Sequence, residues 1–197
     1  MSEQLQSDFD QIVKTSKFSN EEIQLKKDFL NKFIESGFPN RKQEDWKFLD
    51  ISQIIKKNIS DLSYFIDYSQ SNKIDPSTFV GGLEHNKIIF LNGRIEKIDF
   101  NHEDKSKIEI SDETKKDISF NYENSLIDLN SAFTDKVFKI LIKKNYFLKK
   151  PLIIYHSTDN KIKSTNINLR LDFELGENSC FKPVSYTHLT LPTKRIV

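Results

Sequence analysis

Residues 136–156 read KVFKILIKKNYFLKKPLIIYH, two apolar β-forming runs broken by a polar, lysine-rich turn. The first run alternates in the manner of a strand with one face inward, and the second is continuously apolar, as expected of a strand covered on both faces. Downstream, residues 167–175, INLRLDFEL, give the longest clean alternation in the chain. Its pattern places Ile167, Leu169, Leu171, Phe173 and Leu175 on one face and Asn168, Arg170, Asp172 and Glu174 on the other. Polar turns fall at 143–145, 157–160 and 176–178. Three strands at even spacing with no helix between them fit successive coils of a β-solenoid, and on spacing alone they fit a sandwich as well.

Upstream the period changes. Residues 87–100 place two short β-runs around Asn92-Gly93, a hairpin signal because both turn positions favour positive φ. Residues 101–117 are charged and read as a loop around a short strand at Ile108 and Ile110, and residues 125–133 make one or two helical turns with Leu126, Leu129, Asn130 and Phe133 on one side. The first third is helical. Leu5, Phe9, Ile12 and Val13 recur at helical spacing. Ser19 and Glu22 form a capping box ahead of an apolar stripe of Ile23, Leu30, Phe33 and Ile34. Gly37 and Pro39 end that helix, and Asp50 with Gln53 starts another carrying Ile51, Ile54, Ile55 and Ile59. Between them lies FPNRKQEDWKF, residues 38–48, with the single tryptophan, Trp46, among charges. In that connection Trp46 can pack on the core with the stems of Lys42 and Lys47 beside it, and Arg41 can pair with Glu44 if the segment begins a helical turn.

Composition narrows the function. Lys+Arg 30 against Asp+Glu 29 leaves a net charge of +1 and names no polyanionic partner. Only Arg41, Arg94, Arg170 and Arg195 are arginines, which weighs against a nucleic-acid reader needing bidentate contacts. One cysteine, Cys180, excludes a disulfide framework and a multi-cysteine metal site. The N-terminus lacks the basic and apolar regions of a signal peptide, and no apolar run approaches the length of a membrane span, so a cytoplasmic location is expected with no membrane partner.

The residue types that carry chemistry do not converge. His85, His102, His156 and His188 share no ligand spacing with one another or with Cys180. His156 reads as a strand-end histidine and Cys180 as a small β residue. Gly81-Gly82 is not followed by a phosphate-loop pattern. Asp172 and Glu174 share a strand face, which a carbohydrate-cleaving β-helix enzyme would require of its carboxylates, but alternating charge on a solvated face accounts for them. Lys143, Lys144, Lys149 and Lys150 read as lysines protecting a strand edge. No catalytic, cofactor-binding or metal-ligating residue is expected in this chain.

The run FPNRKQEDWKFLD resembles the N-terminal signature of the SufD branch of the SufB/SufD family, which serves iron–sulfur cluster assembly in the SUF system. That signature is approximately P-x-R-x-x-E-x-W-K-Y-T; Pro39, Arg41, Glu44, Trp46 and Lys47 match it, with Phe48 for the usual Tyr and Leu49 for the usual Thr. Three further stretches follow in the family's order: IIFLNGRIEKID (88–99), LIDLNSAFTDKVFKILIKKNYFLKKPLIIYH (126–156) and NLRLDFELGENS (168–179).

The resemblance implies an α+β chain: an N-terminal helical domain over 1–85, then a hairpin and the first coils of a right-handed parallel β-helix over 86–182. It implies a non-catalytic subunit that pairs with a SufB-like subunit and, through helices beyond residue 197, docks a SufC-like ATPase. No cofactor is expected on this stretch, cluster assembly belonging to the full complex. Residues 183–197, PVSYTHLTLPTKRIV, do not fit the family and read as a non-native tail. A β-helix carbohydrate-active enzyme and a generic protein-interaction module are the alternative readings.

Overall fold

The structure, a computed structural model, describes residues 2–59, 61–68, 79–113, 124–159 and 162–188. The chain is α+β and divides into two compact units that interleave along the sequence. One holds residues 1–67, 111–139 and 163–172, the other residues 68–110, 140–162 and 173–197.

The first unit is built on helices. Helix α1 (Ser2–Thr15) turns Leu5, Phe9 and Ile12 inward. Helix α2 (Asn20–Ser36) starts at the expected capping box: Ser19 Oγ accepts from Glu22 N at 3.2 Å, and Glu22 Oε2 accepts from Ser19 N at 2.7 Å. It ends where Gly37, at φ 68°, turns its N–H back to Phe33 O. The face that α2 buries differs from the expected stripe. Glu22, Lys26, Phe29, Leu30 and Phe33 are inside, whereas Ile34 is 39 % exposed. Spacings of three and four carry that row through Lys26 and Phe29, and Ile34 lies one residue, about 100°, off it.

Helix α4 (Ser125–Phe133), capped by Asn124 Oδ1 on Leu126 N at 2.9 Å, adds Leu129, Ala132 and Phe133. With Phe38 and Tyr64 these side chains form one apolar core. The Phe133 ring meets Phe9 edge-on at 6.2 Å and Tyr64 at 5.1 Å. Each such aromatic contributes about 1.5–3 kcal/mol by burial. The buried Asp8 carboxylate ties α1 to the chain at 63–64, accepting from Tyr64 N at 2.6 Å and Ser63 Oγ at 3.3 Å. Helix α3 (Ile51–Asn58) begins with Asp50 Oδ1 capping Gln53 N at 2.9 Å, and none of its residues is fully buried.

In the second unit, β1 (Asn86–Leu91) and β2 (Arg94–Asp99) pair antiparallel around Asn92 and Gly93, at φ 53° and 84°. That is the expected hairpin, with a register shift between Ile89 and Phe90. Strand β5 (Leu152–Ser157) lies parallel to β1, Asn86 opposite Leu152, and β7 (Pro183–His188) lies parallel to β5, Leu152 opposite Pro183. The sheet order is β2-β1-β5-β7. Its central strands are buried on both faces. Ile88, Phe90, Leu152 and Ile154 are inside, as are Ile89, Ile153 and Tyr155, which explains their unbroken apolar runs. Strands β3 (Ile108–Glu113), β4 (Val137–Ile142) and β6 (Arg170–Leu175) form a second sheet in the order β3-β4-β6.

Two expectations change here. The alternation at 167–175 becomes a strand only from Arg170, and its apolar side is only partly covered: Ile167, Leu169 and Leu171 are half-buried, while Phe173 is 38 % and Leu175 49 % exposed. Among the described residues β6 is the end strand of its sheet, with a neighbouring strand on one side only. Pro183–His188, set apart by its composition, is strand β7 in register with β5. Ladder hydrogen bonds run between backbone groups, so an unlike side-chain pattern does not prevent pairing. Residues 189–197 of the expected tail lie outside the described residues.

Two turns in this unit stack closely. Asn145 and Asn178, 33 residues apart, both take positive φ (58° and 53°), and Asn178 Nδ2 donates to Asn145 Oδ1 at 3.3 Å. Asn145 N donates to Glu177 O at 2.8 Å, and Phe147 bridges Cys180 in parallel, again 33 residues on. Gly176 is required by this approach, since a Cβ there would stand 2.4 Å from Lys144 N.

Candidate functional site

Residues 38–58 hold the single tryptophan among charged neighbours, and the structure shows what anchors the segment. Phe38, not Trp46, enters the core, meeting Phe33 edge-on at 5.0 Å. Ile51 N donates to Pro39 O at 3.3 Å and closes the segment into a loop. Inside it Asn40 Oδ1 accepts from Lys42 N, and a 3₁₀ turn spans Glu44–Trp46. Trp46 sits in that turn half-buried and outside the apolar core cluster, which corrects its expected packing. The expected Arg41–Glu44 pair is also absent. Helical geometry begins only at Glu44, so the spacing of three never places the two on one face. Lys47 Nζ lies 5.0 Å over the Phe48 ring rather than beside Trp46.

The loop leaves apolar side chains in solvent. Phe48 is 85 % exposed, Leu49 44 % and, one turn into α3, Ile54 45 %. Only Ile51 and Ile55 of that helix pack against the core. Exposed Arg41, Lys42, Lys47, Lys56 and Lys57 accompany them. Exposed Glu44 and Asp45 lie in the same segment.

The polar clusters of the second unit join segments distant in sequence. Glu103 is the acceptor of four bonds: from Asn86 Nδ2 at 2.8 Å, Tyr146 Oη at 2.7 Å, Lys149 N at 3.1 Å and Lys150 N at 3.0 Å. Burial works to raise its pKa and is the largest single influence, but the four bonds together outweigh it and hold the carboxyl below its ordinary value. The cluster fastens the segment after β2 to β1 and to the start of β5. A second chain of bonds runs from Val80 N to Tyr155 Oη (3.2 Å) and from there to His85 Nε2 (2.8 Å). His85 Nδ1 lies 2.7 Å from Leu83 O; a carbonyl only accepts, so Nδ1 carries the proton and Nε2 accepts from Tyr155. Burial raises the Tyr155 pKa.

The other singled-out residues stay apart. His156 stacks on Phe90 at 5.8 Å, and burial lowers its pKa. His102 is exposed, the His188 side chain lies outside the described residues, and Cys180 is exposed and free. Asp172 accepts from Arg170 Nε at 3.0 Å, so one carboxylate of β6 is paired within its own strand. Lys143 pairs with Glu109 at 2.5 Å and Lys150 with Glu84 at 2.7 Å, dissolving the apparent basic patch. Among the described residues, no group of three or more His, Cys, Asp or Glu is placed to hold a metal ion, and no helix is long and apolar enough to cross a membrane.

Sequence reading missed Lys26. It is 7 % exposed, and its ammonium donates to Ser131 O at 3.1 Å and Thr134 O at 2.5 Å at the end of α4. Burial lowers its pKa to about 8, against the opposing charges of Asp135 and Glu22. A lysine among helix-forming polar residues gives no local sign of this; only the partner helix, a hundred residues away, supplies the carbonyls. No family model and no curated protein matches the chain.

Proposed function

We propose that the chain is a SufD-like, non-catalytic subunit of the SUF iron–sulfur cluster assembly scaffold, acting in the cytoplasm by pairing with a SufB-like subunit. The ordered set of motifs from Pro39 to Ser179 motivates the reading. One observation lends it most weight: the stacked turns at Asn145 and Asn178, with parallel pairing of β1, β5 and β7, are what successive coils of a parallel β-helix would present. Cluster chemistry then belongs to the assembled complex, and a SufC-like ATPase joins through parts of the protein outside this stretch. The test is co-expression of the natural gene product with SufB-like and SufC-like subunits. A stoichiometric complex on gel filtration is expected, and its absence under reducing, low-salt conditions overturns the proposal.

A further inference from the structure

We propose that the loop and helix over residues 38–58 form a docking surface for an acidic amphipathic helix of a partner protein. This is independent of the SUF reading. Helix α3 carries Ile51, Ile54 and Ile55 at helical spacing yet buries none of them fully, and Phe48 and Leu49 stand in solvent immediately before it. Ile51 N on Pro39 O closes the loop, and half-buried Trp46 precedes Phe48 and Leu49 by two and three residues within it. Aromatic and aliphatic anchors rimmed by charge are the composition of a recognition surface, not of solvated chain.

Charge selects the occupant. Arg41, Lys42, Lys47, Lys56 and Lys57 are exposed, and none forms an ion pair among the described residues. Glu44 and Asp45 oppose them, while Asp50 is engaged in capping α3. The surface is therefore apolar ground with an excess of unspent positive charge. A second copy of this chain would set that excess against itself. Insertion of Trp46 into an anionic lipid surface would carry Glu44 and Asp45 into the headgroup layer with it, whereas a helix can set its carboxylates opposite the lysines and away from these two. A helix with an apolar stripe flanked by carboxylates satisfies both the exposed rings and the lysines.

Trp46 is the sole tryptophan, so its emission reports this surface directly. The probe is a designed peptide with leucines at positions i, i+3, i+4 and i+7 of each repeat and glutamates elsewhere, with a lysine-for-glutamate peptide as control. A saturable blue shift with the acidic peptide, weakened by salt, is expected. Phe48→Ser should weaken binding about tenfold, as loss of a buried anchor does, and Lys56→Glu with Lys57→Glu should weaken it further. Both sites are exposed, so the fold should persist, which far-UV circular dichroism checks. Equal binding of the lysine peptide, no response to either peptide, a response to phosphatidylglycerol vesicles alone, or concentration-dependent self-association without peptide each overturns the proposal.

Discussion

Replacing Lys26 with Met should remove a specific pH dependence of stability. The Lys26 ammonium sits between α2 and the end of α4, 4.8 Å over the Phe18 ring, with Ser131 O and Thr134 O as acceptors. Burial brings its pKa from 10.5 to about 8. At roughly 1.4 kcal/mol per pKa unit, keeping this group charged at neutral pH costs the fold about 3 kcal/mol. An unfolded lysine holds its proton up to 10.5, whereas the folded one releases it near 8. Between those values the unfolded state binds more protons, so stability rises with pH; below 8 both states are charged and this slope vanishes. Burial raises the Tyr64 pKa from 10.0 to about 12, and that group lowers stability only as pH passes 10. A scan from pH 7 to 10 therefore isolates the lysine.

The assay is urea unfolding followed by far-UV circular dichroism across that range. The wild-type chain should gain about 2–3 kcal/mol between pH 7 and 10. Lys26→Met has nearly the same length but cannot titrate. It leaves two carbonyls without their donor, at a cost of about 1–3 kcal/mol each, which offsets the relief from the buried charge. Its stability at pH 7 should lie near that of the wild type, and its slope should be flat. A wild-type stability independent of pH from 8 to 10, or a variant with the wild-type slope, refutes the reasoning.

Gly176→Ala should cost about 1–3 kcal/mol or more, because the new Cβ meets the backbone of Lys143 and Lys144; Gly81→Ala, with open space around it, should be close to neutral in the same urea titration. Tyr64→Phe should stabilise the chain by about 1 kcal/mol, since the buried Tyr64 hydroxyl has no hydrogen-bond partner among the described residues; a loss in thermal midpoint would contradict this. Glu103→Gln should cost about 2–3 kcal/mol at pH 7, because an amide turns N–H groups toward donors. The Glu103 carboxyl is held below its ordinary 4.5, so its stabilisation is present above that value and lost as pH falls through the lower folded one. An acid titration of the variant should lack that part of the loss.

Legibility followed sequence distance. The capping box at Ser19, the Asp50 cap and the Asn92-Gly93 hairpin were readable because each joins groups within about four residues, where backbone geometry leaves few choices. The apolar face of α1 was readable from its period. The face of α2 was not, since its register had to include Lys26, whose burial depends on carbonyls of α4. The candidate surface was half legible. Trp46 marked the segment, but that Phe38 is the anchor and Phe48 the exposed ring follows from loop closure at Pro39 and Ile51, which no pattern encodes.

By itself, then, the sequence determined the helical first third, the hairpin and the β character of the chain beyond Val137, because periodicity and capping are local physics. The tertiary structure alone decided that β5 pairs with β1, its partner 66 residues away, and that 183–188 pairs beside it. It also decided that Gly176 must be glycine and that Glu103 is spent on four donors. Strand pairing and the filling of buried space depend on which distant backbone arrives, and nothing in a strand's own side chains specifies its neighbour.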